Sequence, residues 1–180
     1  ELLKAIPASP VSALTKAMKD EVREVEALLQ LLPRITPRSL MPPSGRWAMS
    51  ARGLVHLADL VAQHEPRVVL ELGSGTSSVY LGYLLEGTGA RVVSVDHSAE
   101  FAELTREAVD RHALGDVVEV RHAALVETVD GDPESSWYDR SVFSDVDGVD
   151  LLIVDGPPGS VHPMVRGLTL PALLPQLAPG

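Results

Sequence analysis

Apolar side chains recur every three or four residues from Val11 through Leu14, Met18, Val22, Val25 and Leu28 to Leu32, the spacing of one stripe along an amphipathic helix. Ser9-Pro10 opens that helix, with serine as N-cap and proline in the first turn, and Pro33 closes it. The stripe predicts a helix packed outside the main sheet, a lid or an oligomer contact. Residues 33–50 hold four prolines and a glycine and read as an irregular connector. A second helix is expected from about Ala51 to Gln63, with Leu54, Leu57, Leu60 and Val61 on one face, and Pro66 ends it.

Beyond Pro66 the period changes. Short β-branched runs at 67–72, 91–96, 116–122 and 149–155 alternate with helical stretches at 76–85, 99–112 and 161–174. Strands and helices in that alternation predict an α/β fold, a doubly wound, mainly parallel Rossmann-like sheet with extra N-terminal helices. The fourth run, VDLLIVD, is almost wholly apolar, as expected of a strand buried on both faces. Residues 130–148 are acidic and turn-rich and read as a long surface loop. The division expected is a helix and connector over residues 1–50, then one α/β domain over 51–180.

The turn after the first strand reads Glu71-Leu72-Gly73-Ser74-Gly75-Thr76-Ser77. Glycines there let the backbone turn sharply and come close to a ligand, and the N-terminus of the next helix offers free N–H groups to an anionic or carboxylate-bearing group. The alternative is a merely structural turn. Asp96 ends the second strand, 23 positions after Gly73. In a doubly wound sheet it sits beside the glycine turn, where a carboxylate accepts hydrogen bonds from two ribose hydroxyls. Asp-His-Ser-Ala also reads as a helix start, with Asp96 as a simple cap. Asp155 ends the fourth strand, and Gly156-Pro157-Pro158-Gly159 fixes the loop that follows. Trp47 is either a packing residue or a wall of the ligand site. Trp137, Tyr138 and Phe143 either anchor their acidic loop to the core or line an acceptor pocket.

Composition narrows the function. The chain of 180 residues is 45% hydrophobic, has 15 basic and 25 acidic residues and carries a net charge of −10. With no basic run, nucleic acid is not an expected partner. Cysteine is absent, which removes disulfides and thiolate chemistry, and the six histidines show no spacing of metal ligands. No apolar run reaches the roughly 18 residues of a membrane span, and the first residues do not read as a signal peptide. A cytoplasmic protein without a membrane partner is the expectation.

Three segments together resemble class I methyltransferases that depend on S-adenosylmethionine, in particular those acting on small-molecule oxygen. VVLELGSGTSSVYLG resembles their first motif, VVSVDHS the second, whose acid holds the ribose, and LLIVDGPPG the fourth, with an aspartate beside the reacting methyl. The resemblance spans about residues 50–175. It implies that Glu71, Gly73, Ser74, Gly75, Ser77, Asp96, His97, Ala123 and Asp155 bind the cofactor, with His97 or backbone near Ala123 serving adenine. It also implies Asp155 as proton acceptor, with His162 as second choice, and a small-molecule acceptor. Magnesium at Asp155, as in the catechol-type branch, is the less favoured version. A further implication is a sheet incomplete after the fourth strand, since the family continues into a fifth where this chain ends at Gly180.

Two alternatives remain at this level. A nicotinamide-dependent oxidoreductase needs Gly-x-Gly-x-x-Gly, but Ser78 stands at the third glycine, and Glu71 would repel a pyrophosphate. In S-adenosylmethionine the neighbouring group is cationic, which suits an acid. A non-catalytic domain of the same fold, kept for assembly, is the other.

Overall fold

In the computed structural model residues 10–127, 136–162 and 164–179 are described. In chain order the elements are α1 (Pro10–Leu31), α2 (Ala51–His64), β1 (Val68–Leu72), α3 (Thr76–Leu85), β2 (Arg91–Asp96), α4 (Ala99–Arg111), β3 (Val118–His122), β4 (Leu125–Glu127), β5 (Ser136–Tyr138), β6 (Leu151–Val154) and α5 (Thr169–Leu173). Four strands form one parallel sheet in the order β3-β2-β1-β6. The chain therefore runs outward from β1 to β3 and then crosses to the other side of β1, a switch point between β1 and β6. Ligands of open α/β sheets bind outside the carboxyl ends of the strands at such a point.

Alternation along the strands sorts the core. Val69 and Val92 point to the face covered by α2, α3 and α4, whereas Leu70, Leu72, Val93 and Val95 point to the other face. That second face is covered by residues that the sequence placed in a surface loop. β5 pairs antiparallel with β4, and Trp137, Tyr138 and Phe143 are fully buried beneath the sheet. Trp137 and Tyr138 meet edge to face at 5.4 Å, a favourable aromatic geometry. These three rings are anchors. The remainder of the acidic segment, 128–135, lies outside the described residues.

Other differences are local. The stretch 161–174 is broken into a 3-10 turn at Val165–Leu168 and the short α5. Gly167 is a weak helix former, and the ring of Pro171 would clash with the carbonyl of residue 167 in a continuous helix. β6 is half-buried along its length rather than buried on both faces. Among the described residues its outer edge is met only at its approach, where Val149 N–H donates to Gln176 O (2.9 Å) and Ala178 N–H to Val149 O (3.0 Å). α2 is capped by Ser50, whose side chain accepts from Gly53 N–H (3.2 Å). Among the described residues no helix is long and apolar enough to cross a membrane.

The proline-rich connector is tied to the core by Thr76 Oγ1, which donates to Pro43 O (2.8 Å), and by a network around the buried His112. Arg38 N–H donates to Tyr83 Oη (2.7 Å), Tyr83 Oη lies 2.7 Å from His112 Nδ1, and His112 Nε2 lies 3.2 Å from Leu40 O. A carbonyl can only accept, so Nε2 carries the proton, Nδ1 accepts from the tyrosine, and the imidazole is neutral. The Arg38 side chain adds bonds to Glu86 and to the carbonyls of His112 and Ala113. Burial, with Arg111 and Arg38 nearby, holds the His112 pKa below its ordinary value, against the Leu40 bond. The unfolded chain therefore takes up this proton first. Stability is present above about pH 6.5, the unperturbed histidine value, and is lost as pH falls below it. The midpoint of urea unfolding should drop between pH 7 and 5.5, and His112→Gln should flatten that drop. Equal slopes in the two proteins would remove His112 from the account.

Candidate functional site

A cavity of about 740 Å³ opens at the carboxyl ends of β1, β2 and β6, at the switch point. Its floor is the Gly73–Ser77 turn and the N-terminus of α3, and Asp96, His97, Asp155 and Gly156 stand around it. The connector closes one side with Pro42, Pro43, Trp47 and Met49, and α4 supplies Phe101 and Leu104. Sequence reasoning missed the two α4 residues. At spacing i, i+3 they look like a widening of that helix's buried stripe, yet both are more than half exposed.

Two glycines shape the floor. Gly73 has φ +96°, and a Cβ there would lie 2.9 Å from Gly156 N. A Cβ on Gly156 would lie 2.4 Å from Tyr138 Oη. The turns after β1 and β6 are thus pressed together with no room for side chains. By contrast, a Cβ on Gly75 would meet nothing within 4 Å, because that position faces the open cavity.

Asp96 is nearly buried and organises the turn. Its Oδ2 accepts from Ser74 N–H (2.9 Å) and from Ser74 Oγ (3.2 Å), and its Oδ1 accepts from Ser98 N–H (2.9 Å). His97 Nδ1 lies 3.3 Å from Oδ1. The cap of α4 is Ser98, whose Oγ accepts from Phe101 N–H (3.3 Å), so the strand-end carboxylate is not spent on capping that helix. Thr105 joins the cluster through Ser74 Oγ at 3.1 Å.

Glu71 is placed differently from its expected role. Strand alternation and the β1–β2 register set it beside Ser94, on the face under α3. It is fully buried and does not line the cavity. Its Oε2 accepts from Ser78 Oγ (2.5 Å) and Ser94 Oγ (2.6 Å), while Ser78 Oγ accepts from Gly75 N–H (3.0 Å). Burial pushes the Glu71 carboxyl upward, and the bonds from Ser78 and Ser94 oppose this. The carboxyl thus acts on the turn from behind, through Ser78.

Ala123 is buried too, off the cavity, and its N–H is used by Asp96 O (2.8 Å). His162 also lies off the cavity lining, with its Nδ1 accepting from Met164 N–H (3.2 Å). Ser74, Gly75, Ser77, His97 and Asp155 do line it. Asp155 is half-exposed and has a partner the sequence did not reveal. Arg166 Nη2 lies 3.3 Å from Asp155 Oδ1 and donates to the Asp155 carbonyl, while Nε donates to Pro157 O (3.1 Å). Among the described residues no group of three or more histidine, aspartate or glutamate side chains is placed to hold a metal ion. Trp47 lines the cavity while remaining 92% exposed, with almost none of its ring packed against protein.

A family model described as "Methyltransferase domain" matches residues 70–180, well over half of the chain. Among solved structures, the chain is similar to a methyltransferase from Geobacter sulfurreducens (20% identity, TM-score 0.51, covering 97% of this chain and 68% of that one). It is also similar to the SAH-bound methyltransferase PaMTH1 of Podospora anserina (18%, TM-score 0.57, covering 97% and 68%). A third is the O-methyltransferase TomG of Streptomyces achromogenes in complex with SAM (20%, TM-score 0.52, covering 74% and 54%). At these identities the likeness is one of fold, and the chain spans only 54–68% of the length of those proteins. No curated protein matches it significantly.

Proposed function

The chain belongs to the methyltransferase-domain family, and from that premise we propose that it transfers a methyl group from S-adenosylmethionine to an oxygen of a small-molecule acceptor. The observation that carries the reading is the convergence of Asp96, the Gly73–Gly75 turn and Asp155 on one cavity. The residues fit the donor. Space above Gly75 admits its amino-acid end against the start of α3. Asp96 keeps a lone pair of Oδ1 for a ribose hydroxyl, and His97, Phe101 and Leu104 offer an edge and an apolar wall to a flat base. His97 takes over the adenine contact, since the Ala123 amide is occupied. When bound, S-adenosylmethionine supplies a methyl group already activated by its sulfonium.

The chain's own task is then mostly positioning. The connector wall around Trp47 and Met49 lines the side of the cavity where the acceptor is held. Asp155 takes the acceptor's hydroxyl proton, in a loop that Arg166 fixes through two backbone carbonyls. Arg166 already pairs with Asp155 Oδ1 at 3.3 Å, so magnesium would have to displace that guanidinium to use the carboxylate, which supports chemistry without the metal.

Calorimetry tests the reading: S-adenosylhomocysteine should bind more tightly than NAD, and the reverse order would overturn it. Release of S-adenosylhomocysteine with a panel of small hydroxyl compounds should survive EDTA and fall about a hundredfold in Asp155→Asn, the scale of general-base catalysis. Loss on chelation with rescue by Mg²⁺ would place the protein in the metal-dependent branch.

A further inference from the structure

α1 docks on α2 only through its C-terminal part. Ala27 and Leu31 are buried, and Arg52 Nε donates to Glu24 Oε1 (2.6 Å). The opposite side of the helix carries Val11, Met18, Val22, Val25 and Leu29, which are 57–73% exposed. With Thr15 and Leu32, those positions step by four and three alternately over three heptads. That alternation is the spacing of a two-stranded coiled-coil seam, and Leu14, also exposed, widens it on the flank that carries Glu21. The helix of 22 residues is about 33 Å long at 1.5 Å per residue, enough for several interlocking layers.

From this seam and the charges beside it we infer that two copies of the chain associate through α1 as an antiparallel pair. Lys19 and Glu26 flank the seam on one side and Glu21 on the other, and among the described residues none of the three has an ion-pair partner in its own chain. In a parallel pair Glu21 would face the partner's Glu26, a like-charge contact. In an antiparallel pair the same flank faces itself, and register decides the outcome. Val22 opposite the partner's Met18 would set Lys19 against the partner's Lys19. A shift of one heptad sets Val22 opposite the partner's Val25 and Met18 opposite the partner's Leu29. Lys19 then meets the partner's Glu26, and twofold symmetry makes that contact twice. Flanking charges of this kind set orientation and partner choice in coiled coils. A twofold arrangement closes on itself, so the association stops at a dimer.

Sedimentation velocity over a concentration series, at low salt, reads the outcome on the whole purified protein. The parent should dimerise, and Val22→Glu should weaken the dimer by about a hundredfold or more, since it buries a charge in the seam. Lys19→Glu and Glu26→Lys should each weaken it by about tenfold, and the double exchange should restore it. These side chains are exposed, so the variants should keep the parent's melting behaviour as monomers. A parent that stays monomeric, or a dimer indifferent to Val22→Glu, would overturn the inference. Tighter association of Glu26→Lys alone would also overturn it, by showing a parallel pair relieved of the Glu21–Glu26 contact.

Discussion

Gly156→Ala is expected to cost about 1–3 kcal/mol of stability, the range for forcing extra atoms into a packed site, and to abolish measurable binding of S-adenosylhomocysteine. The added methyl would lie 2.4 Å from Tyr138 Oη and 3.0 Å from Gly73 N. Neither neighbour can give way. The Tyr138 ring is fully buried, edge to face with Trp137 at 5.4 Å and with Phe143 at 6.3 Å. Gly73 belongs to the turn that forms the cavity floor, at a positive φ that a side chain would strain. The methyl must therefore separate the loops after β1 and β6, and with them Asp155 from the α3 N-terminus. Gly75→Ala is the matched control. Its methyl meets open cavity, so the free protein should melt like the parent while ligand affinity falls. A Gly156→Ala protein that melts with the parent and binds as well would show that the two loops are free to part.

Asp96→Ala is expected to weaken S-adenosylhomocysteine binding by at least tenfold, because charge-assisted hydrogen bonds contribute roughly 1.5–3 kcal/mol each. The loss has two sources. One is the carboxylate offered to the ribose. The other is the hold on Ser74, whose N–H and Oγ both reach Asp96 Oδ2. Ser74→Ala removes one loop contact and leaves the carboxylate, so it should lose much less affinity than Asp96→Ala. Because Ser98 caps α4, the ligand-free Asp96→Ala protein should keep that helix. Unchanged affinity in a folded Asp96→Ala protein would confine this residue to shaping the turn.

The contrast between Asp96 and Glu71 shows where sequence reading stops. Both are strand acids near the glycine turn, and both were expected at the ligand. Asp96 is the last residue of β2, at the sheet's carboxyl edge, and so lines the cavity. Glu71 lies one residue inside the end of β1, where the pleat turns it under α3. A motif records the order of residues and not the direction of each side chain. Arg166 lay further out of reach, since its contact with Asp155 joins residues eleven apart through a loop of no regular period.

By itself the sequence determined the order of the four parallel strands and the helices between the first three, the α/β class, the glycine turn and the strand-end aspartates. These depend on local periodicity and turn chemistry, which neighbouring residues carry among themselves. Tertiary structure alone decided what lies on the second face of the sheet. Trp137, Tyr138 and Phe143 sit in a polar stretch that reads as surface, and only packing beneath the sheet, with the first two in a strand paired to β4, turns them into core. It also decided that the stripe of α1 faces away from its own domain, while Trp47 stands open at the cavity rim. A hydrophobic pattern specifies that a surface is to be buried. Which surface covers it is settled by contacts between residues far apart in the chain, or on a second copy of it.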